Sequence, residues 1–218
     1  MKLECLIFIL YTTITIEIIT AIIGTIYYYK YKKSKLKDFI FILWYTALNE
    51  LIGGIILKRH YGISVEILYN IFYLINFLFY FYLYSQYLEK KQQKTIYSFI
   101  FIYLASIFLN LFYQNYLNDL QTLPYIIAAT LLIVTIMMYF YQILKSEKVL
   151  MVHKNLLFWI SVGLLLNNAG NIPFRILRNY YSNLTDATVS FLLSIFLANI
   201  LNLCFIIGFI CSNRKQLY

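Results

Sequence analysis

Apolar residues dominate the chain in long runs, and polar residues gather in short clusters between them. Reading those runs as helices gives seven segments, roughly 5–29, 39–57, 65–88, 95–114, 124–145, 156–177 and 188–212. Each has the length of a bilayer crossing, about 20 residues at 1.5 Å per residue. The connections between them are short. No linker, repeat or soluble domain is expected, only one transmembrane domain over 1–218. The first run is too long for the core of a cleavable signal peptide and lacks a small-residue cleavage site, so it reads as a first span.

Composition agrees with this pattern. Of 218 residues, 62% are hydrophobic and 12% charged, with a mean hydropathy of +0.72. A soluble domain carries about 25% charged residues. The expected fold is therefore all-α: a polytopic seven-transmembrane-helix bundle.

Charge adds an orientation. The net charge is +9. Lys30, Lys32, Lys33, Lys35 and Lys37 fall in the first connection, Lys90, Lys91 and Lys94 in the third, Lys145, Lys148 and Lys154 in the fifth, and Arg214 and Lys215 in the tail. Lys2, Lys58, Arg59, Arg175 and Arg178 fall on the opposite side. Thirteen against five places the N-terminus outside and the C-terminus in the cytoplasm. Tyr27, Tyr28, Tyr29 and Tyr31, then Tyr80, Tyr82, Tyr84 and Tyr87, then Tyr180 and Tyr181, read as interfacial belts. The basic loops suit lipid headgroups or an acidic partner face, and no basic domain remains for nucleic acid. Ile, Tyr, Phe, Asn and Lys are abundant, residues with mostly AT-rich codons, which suggests a low-GC bacterial source and hence a bacterial inner (cytoplasmic) membrane.

Polar residues inside the apolar runs are the candidate chemistry, because burying them in lipid is unfavourable unless they serve a purpose. Thr13, Glu17, Thr20 and Gly24 form one helical stripe. Thr46, Asn49, Glu50 and Gly53 form another, as do Glu66, Asn70 and Tyr73, with Asn76 nearby. Asn168, Asn171 and Arg175 share a stripe beside Asn167, and the last run carries Ser194, Asn199 and Asn202. With the orientation above, Glu17, Asn49, Glu50, Glu66, Asn70, Asn168, Asn171 and Arg175 are the expected lining of an outward-facing ligand pocket. The competing expectation is that the Asn residues hold helices together and that Glu66 sits at a helix N-terminus. Pro124 suits a first helical turn, and Pro173 predicts a kink or local unwinding where it removes a bond to Ala169.

Other chemistry is not expected. Cys5, Cys204 and Cys211 read as small apolar fillers; the last two are seven apart, about 10 Å along a helix and too far to bridge. His60 and His153 fall on opposite sides of the membrane, so no metal site is expected, and no cofactor either. Asn183-Leu184-Thr185 fits a glycosylation sequon without meaning in a bacterium. No helical zinc-peptidase pair, nucleophile elbow or phosphate-binding glycine loop is present.

Four segments carry a resemblance: Tyr69–Tyr84 (YNIFYLINFLFYFYLY), Gln121–Ile133 (QTLPYIIAATLLI), Lys154–Arg175 (KNLLFWISVGLLLNNAGNIPFR) and Asn199–Ile210 (NILNLCFIIGFI). Across nearly the whole chain the sequence resembles a group of small uncharacterised bacterial seven-transmembrane proteins. More loosely it is similar to the seven-transmembrane input domains of some histidine kinases. The resemblance implies architecture and no catalytic residues. Unlike those kinases, the chain is expected to carry no output domain, so a signalling role implies a separate partner protein. The expected function is a sensory or accessory membrane subunit and not an enzyme. The alternatives are a small transporter or channel using intramembrane carboxylates and, less favoured, a lipid-modifying enzyme with Glu50 as base.

Overall fold

Backbone amides and carbonyls cannot be left bare in an apolar surrounding, and a helix pairs them within one segment. The computed structural model describes residues 3–53, 65–180 and 187–212, with side chains described for all of these except 3–10, 147–150, 178–180 and 187–191. Lys2, Lys58, Arg59, His60, Tyr181, the Asn183-Leu184-Thr185 triplet, Arg214 and Lys215 lie outside the described residues, as do the side chains of Cys5, Lys148, Arg178 and Tyr180.

Among the described residues there are eight α-helices and no strand: α1 (Leu3–Ile26), α2 (Tyr28–Tyr31), α3 (Phe39–Glu50), α4 (Glu66–Ser85), α5 (Lys90–Asn110), α6 (Thr122–Leu144), α7 (Leu156–Tyr180) and α8 (Ala187–Cys211). A 3-10 segment, Glu147–Lys154, precedes α7. Among the described residues each of the seven apolar runs contains a helix, from the 12 residues of α3 to the 25 of α7 and α8, and α2 is a short extra. Four segments are long and apolar enough to cross a membrane: Glu66–Ser85, Thr122–Leu144, Leu156–Leu177 and Leu192–Cys211. Tyr11–Ile26 and Phe39–Gly53 are apolar but shorter. In α5 the lysines and glutamines from Lys90 to Lys94 occupy the first turns and leave a shorter apolar remainder.

The outward faces are those of a membrane protein. On α5, Tyr97, Phe101, Leu104 and Phe108 form one exposed stripe at spacings of 4, 3 and 4. In water such a continuous apolar face is an aggregation site; against lipid tails it is the ordinary surface.

The chain divides into two compact units. The first comprises Met1–Ala47 and Ser146–Tyr218. Within it α7 packs along α8, and α8 against α1. Three glycines permit the close α7–α8 approach. A Cβ on Gly163 would lie 3.0 Å from the Cys204 Cβ and 3.2 Å from the Leu201 carbonyl oxygen. On Gly170 it would lie 2.6 Å from Leu197, and on Gly208 2.8 Å from the Trp159 Cβ. Small residues at such crossings let helices gain van der Waals contact where no hydrophobic force acts between them.

The second unit is Leu48–Lys145. Here α4, α5 and α6 pack on one another around an aromatic cluster. Tyr125 stacks edge-on against Tyr73 at 5.0 Å and Phe77 at 5.4 Å, and Phe77 meets Tyr103 at 5.7 Å. Ala128, Ala129, Leu132 and Ile136 of α6 face the same core.

Both prolines sit inside helices. Pro124 is the third residue of α6, two places deeper than the sequence suggested but still in the turn whose N–H groups have no helical partner. α7 runs unbroken past Pro173, so the expected local unwinding is not found.

Gly163→Ile will force the α7–α8 crossing apart, because one obstacle is backbone and cannot rotate away. The expected loss is about 1–3 kcal/mol, read as a lowered Tm in detergent, with Gly170→Ala milder because its obstacle is a leucine tip.

Candidate functional site

The eight expected pocket residues divide between the units. Glu17, Asn168, Asn171 and Arg175 belong to the first, and Asn49, Glu50, Glu66 and Asn70 to the second.

In the first unit the α1 stripe is buried as its spacing implies: Thr13, Glu17 and Thr20 are all nearly inaccessible, with Gly24 one turn on. The Thr20 hydroxyl donates to the Ile16 carbonyl. On α7, Asn168 donates to the Leu164 carbonyl at 2.8 Å. Asn171 donates to the Asn167 carbonyl at 2.9 Å, and its Oδ1 accepts from Ser194 Oγ on α8 at 2.9 Å. Asn202 donates to the Ala198 carbonyl. These amides are therefore used within their own helix or, for Asn171, between α7 and α8. Arg175 is half-buried.

The opposite end of this unit carries a connection that the sequence pattern did not reveal. Lys30 Nζ donates to the carbonyl oxygens of Phe209, Ile210 and Ser212, at 3.1, 3.2 and 3.1 Å. An ammonium has three N–H donors, and all three are matched to carbonyls at the α8 C-terminus, where the helix dipole is negative. Its charge also lies 4.3 Å from the centre of the Tyr27 ring. Burial holds the Lys30 pKa below its ordinary value, opposed by a smaller contribution from Cys211. Tyr31, expected at the interface, is instead buried. Its hydroxyl donates to the Gly24 carbonyl and its ring meets Phe209. Burial pushes its pKa above the ordinary phenol range, so it stays a donor. Tyr80 and Tyr84 are likewise core residues, whereas Tyr82 is exposed.

In the second unit Asn70 is a structural bracket. Its Nδ2 donates to the carbonyls of Tyr116 and Asp119, both at 2.8 Å, and its Oδ1 accepts the Gln121 N–H at 3.0 Å. Both amide protons are thereby engaged by the α5–α6 loop, which leaves none for a ligand. Beside it Asn110 Nδ2 donates to Gln121 Oε1 at 2.6 Å and to Gln114 Oε1 at 2.9 Å. Glu66 is half-buried in the first turn of α4, where the dipole favours its charge.

Asn49 and Glu50 differ from the rest. Tyr69 of α4 donates its hydroxyl to Glu50 Oε2 at 3.1 Å. Asn49 is 4% exposed, and neither its Nδ2 nor its Oδ1 has a hydrogen-bond partner among the described residues. Both lie where α3 gives way to a π-type turn at 51–53, a departure often found at functional sites. A Cβ on Gly53 would meet Leu68 at 2.7 Å, so α4 comes close to this turn.

No group of three or more His, Cys, Asp or Glu side chains that could hold a metal ion occurs among the described residues. No protein-family model matches the chain, and neither curated proteins nor solved structures yield a match.

Two substitutions separate bracket from clasp. Asn70→Leu leaves the buried Gln121 N–H without its acceptor, at about 1–3 kcal/mol, and proteolytic nicking between 111 and 121 will accelerate. Lys30→Met lowers the Tm by a similar free energy and leaves that loop's nicking rate unchanged.

Proposed function

We propose that this chain is a seven-span protein of a bacterial cytoplasmic membrane, N-terminus outside, which serves as a sensory or accessory subunit. The distribution of Lys and Arg supports the orientation. In this reading the Asn49–Glu50 end of α3 faces outward and binds a small ligand or lipid headgroup bearing an amine or hydroxyl. A separate partner protein then reads the altered packing. The same topology underlies the likeness to the small bacterial seven-transmembrane group.

One observation carries the reading. A buried amide without partners is unfavourable by about 1–3 kcal/mol per group, and proteins rarely retain one. Asn49 offers a donor and an acceptor together, next to a carboxylate oriented by Tyr69. That set matches a ligand with both a donor and an acceptor, such as an amino alcohol or polyol.

Purified protein is to be heated with ethanolamine and with glycerol, in detergent. At least one is expected to raise the wild-type Tm and to have no effect on Asn49→Leu. Asn49→Leu alone is expected to be more stable than wild type by about 1–3 kcal/mol, because it removes the uncompensated amide. In cells, deletion should change the transcript profile, restored by wild type and not by Asn49→Leu. An unchanged profile across many conditions contradicts the sensory role.

A second reading, a small transporter or channel, draws on Glu17, a carboxylate buried mid-helix between Thr13 and Thr20. Intramembrane acids commonly serve proton or cation pathways. Proteoliposome flux abolished by Glu17→Gln supports it; flux that survives Glu17→Gln with Glu50→Gln removes these acids from the mechanism.

A further inference from the structure

The connection between α1 and α3 alternates between anchored and presented residues. Tyr31, Ser34, Leu36 and Phe39 are buried, while Lys32, Lys33, Lys35 and Lys37 are exposed. The anchors are specific. Tyr31 is tied to the Gly24 carbonyl, and Ser34 Oγ donates to the Tyr31 carbonyl at 2.7 Å and accepts the Leu36 N–H at 3.1 Å. Phe39 packs edge-on against Phe205 at 5.2 Å and meets Phe209 at 6.0 Å. Successive turns, Ser34 N–H to Tyr31, Lys37 N–H to Ser34 and Phe39 N–H to Leu36, tie the backbone at three points. A run with five lysines in eight residues would otherwise repel itself into an extended coil. Here it is held in one shape, with Lys30 drawn inward onto the α8 carbonyls and the other four lysines facing out.

The lysines also have a fixed height. Ile22, Ile26 and Tyr29 form an exposed stripe on the α1–α2 side, at spacings of 4 and 3. Isoleucines suit acyl chains, and a tyrosine ring suits the headgroup level. The stripe ends within one turn of Lys32 and Lys33, so the charges come at the depth of lipid phosphates. A phosphate there meets several lysines carried on a backbone that the loop's own anchors already hold.

We propose that the α1–α3 connection is a preformed binding site for the phosphate of an anionic phospholipid headgroup, formed by Lys32, Lys33, Lys35 and Lys37. Polybasic segments beside a membrane helix attract acidic lipid through each charge, and rigidity turns that attraction into selectivity. This site is separate from Asn49 and does not depend on the sensory reading. It requires only that the chain be embedded in lipid.

Full-length protein is to be equilibrated with equal phosphatidylglycerol and phosphatidylcholine, and the retained lipid counted by native mass spectrometry. Wild type is expected to retain phosphatidylglycerol in preference, by on the order of tenfold. The quadruple variant Lys32→Gln, Lys33→Gln, Lys35→Gln, Lys37→Gln is expected to lose most of that preference, and the corresponding Lys→Arg quadruple to keep it. The triple variant Lys90→Gln, Lys91→Gln, Lys94→Gln serves as the comparison and is expected to lose less per charge removed. Equal loss per charge at both places overturns the proposal, since it would reflect net charge alone. Displacement of the lipid by inorganic phosphate or glycerol phosphate at millimolar concentration overturns the lipid assignment. If the glutamine quadruple is not monodisperse, the test passes to Tyr31→Phe, which releases the anchor and leaves every lysine in place. It must lower the preference, and an unchanged preference overturns the preformed site.

Discussion

Polar groups within these apolar helices have no water to turn to, and the structure is organised by that constraint. Threonines 15, 20, 25, 130 and 135 return their hydroxyl protons to carbonyls four residues back. Asn76, Asn168, Asn171 and Asn202 do the same with their amides. Such bonds are local and need no tertiary partner, so a polar side chain can sit on a buried face without specifying a site. Where a tertiary partner does appear, as for Ser194 with Asn171 or Trp44 with Thr25, it fastens one helix to its neighbour. Against this background Asn49 is the informative exception, because it is buried and neither of its amide atoms has a partner among the described residues.

The same constraint keeps most charge at or near helix ends, with Glu17 in the interior of α1 as the exception. Lys30 shows how an end can be built from it: one ammonium donates to three carbonyls at the α8 terminus, of which that of Phe209 also accepts the Ser212 hydroxyl. The lysines at the start of α5 are placed differently. Lys90, Lys91 and Lys94 lie at a helix N-terminus, where the dipole disfavours positive charge. Helix stability therefore does not account for their position.

The helices were legible in the sequence because hydrophobic runs and basic breaks are local signals, and bilayer thickness limits their length. The burial of Glu17 was legible for a similar reason, since its stripe with Thr13, Thr20 and Gly24 is a short-range periodicity. Tyr31, Tyr80 and Tyr84 were not. Tyrosine suits an interface and a core equally when its hydroxyl finds a partner, and Tyr31 finds one in the Gly24 carbonyl seven residues away. The bracket at Asn70 was not legible, because its partners lie about fifty residues onward in a loop whose path no local pattern gives. The same reason hid Lys30, whose carbonyls belong to the last helix. The lysine itself was visible, but only as one charge among five.

Asn49 is the place in the fold proposed for something other than protein. A high-resolution structure of the full chain in a lipid nanodisc, with native lipids retained, examines that directly. The account predicts non-protein density within hydrogen-bonding distance of Asn49 Nδ2 and Oδ1 and adjoining Glu50. A protein atom or a lone water filling that position would contradict it.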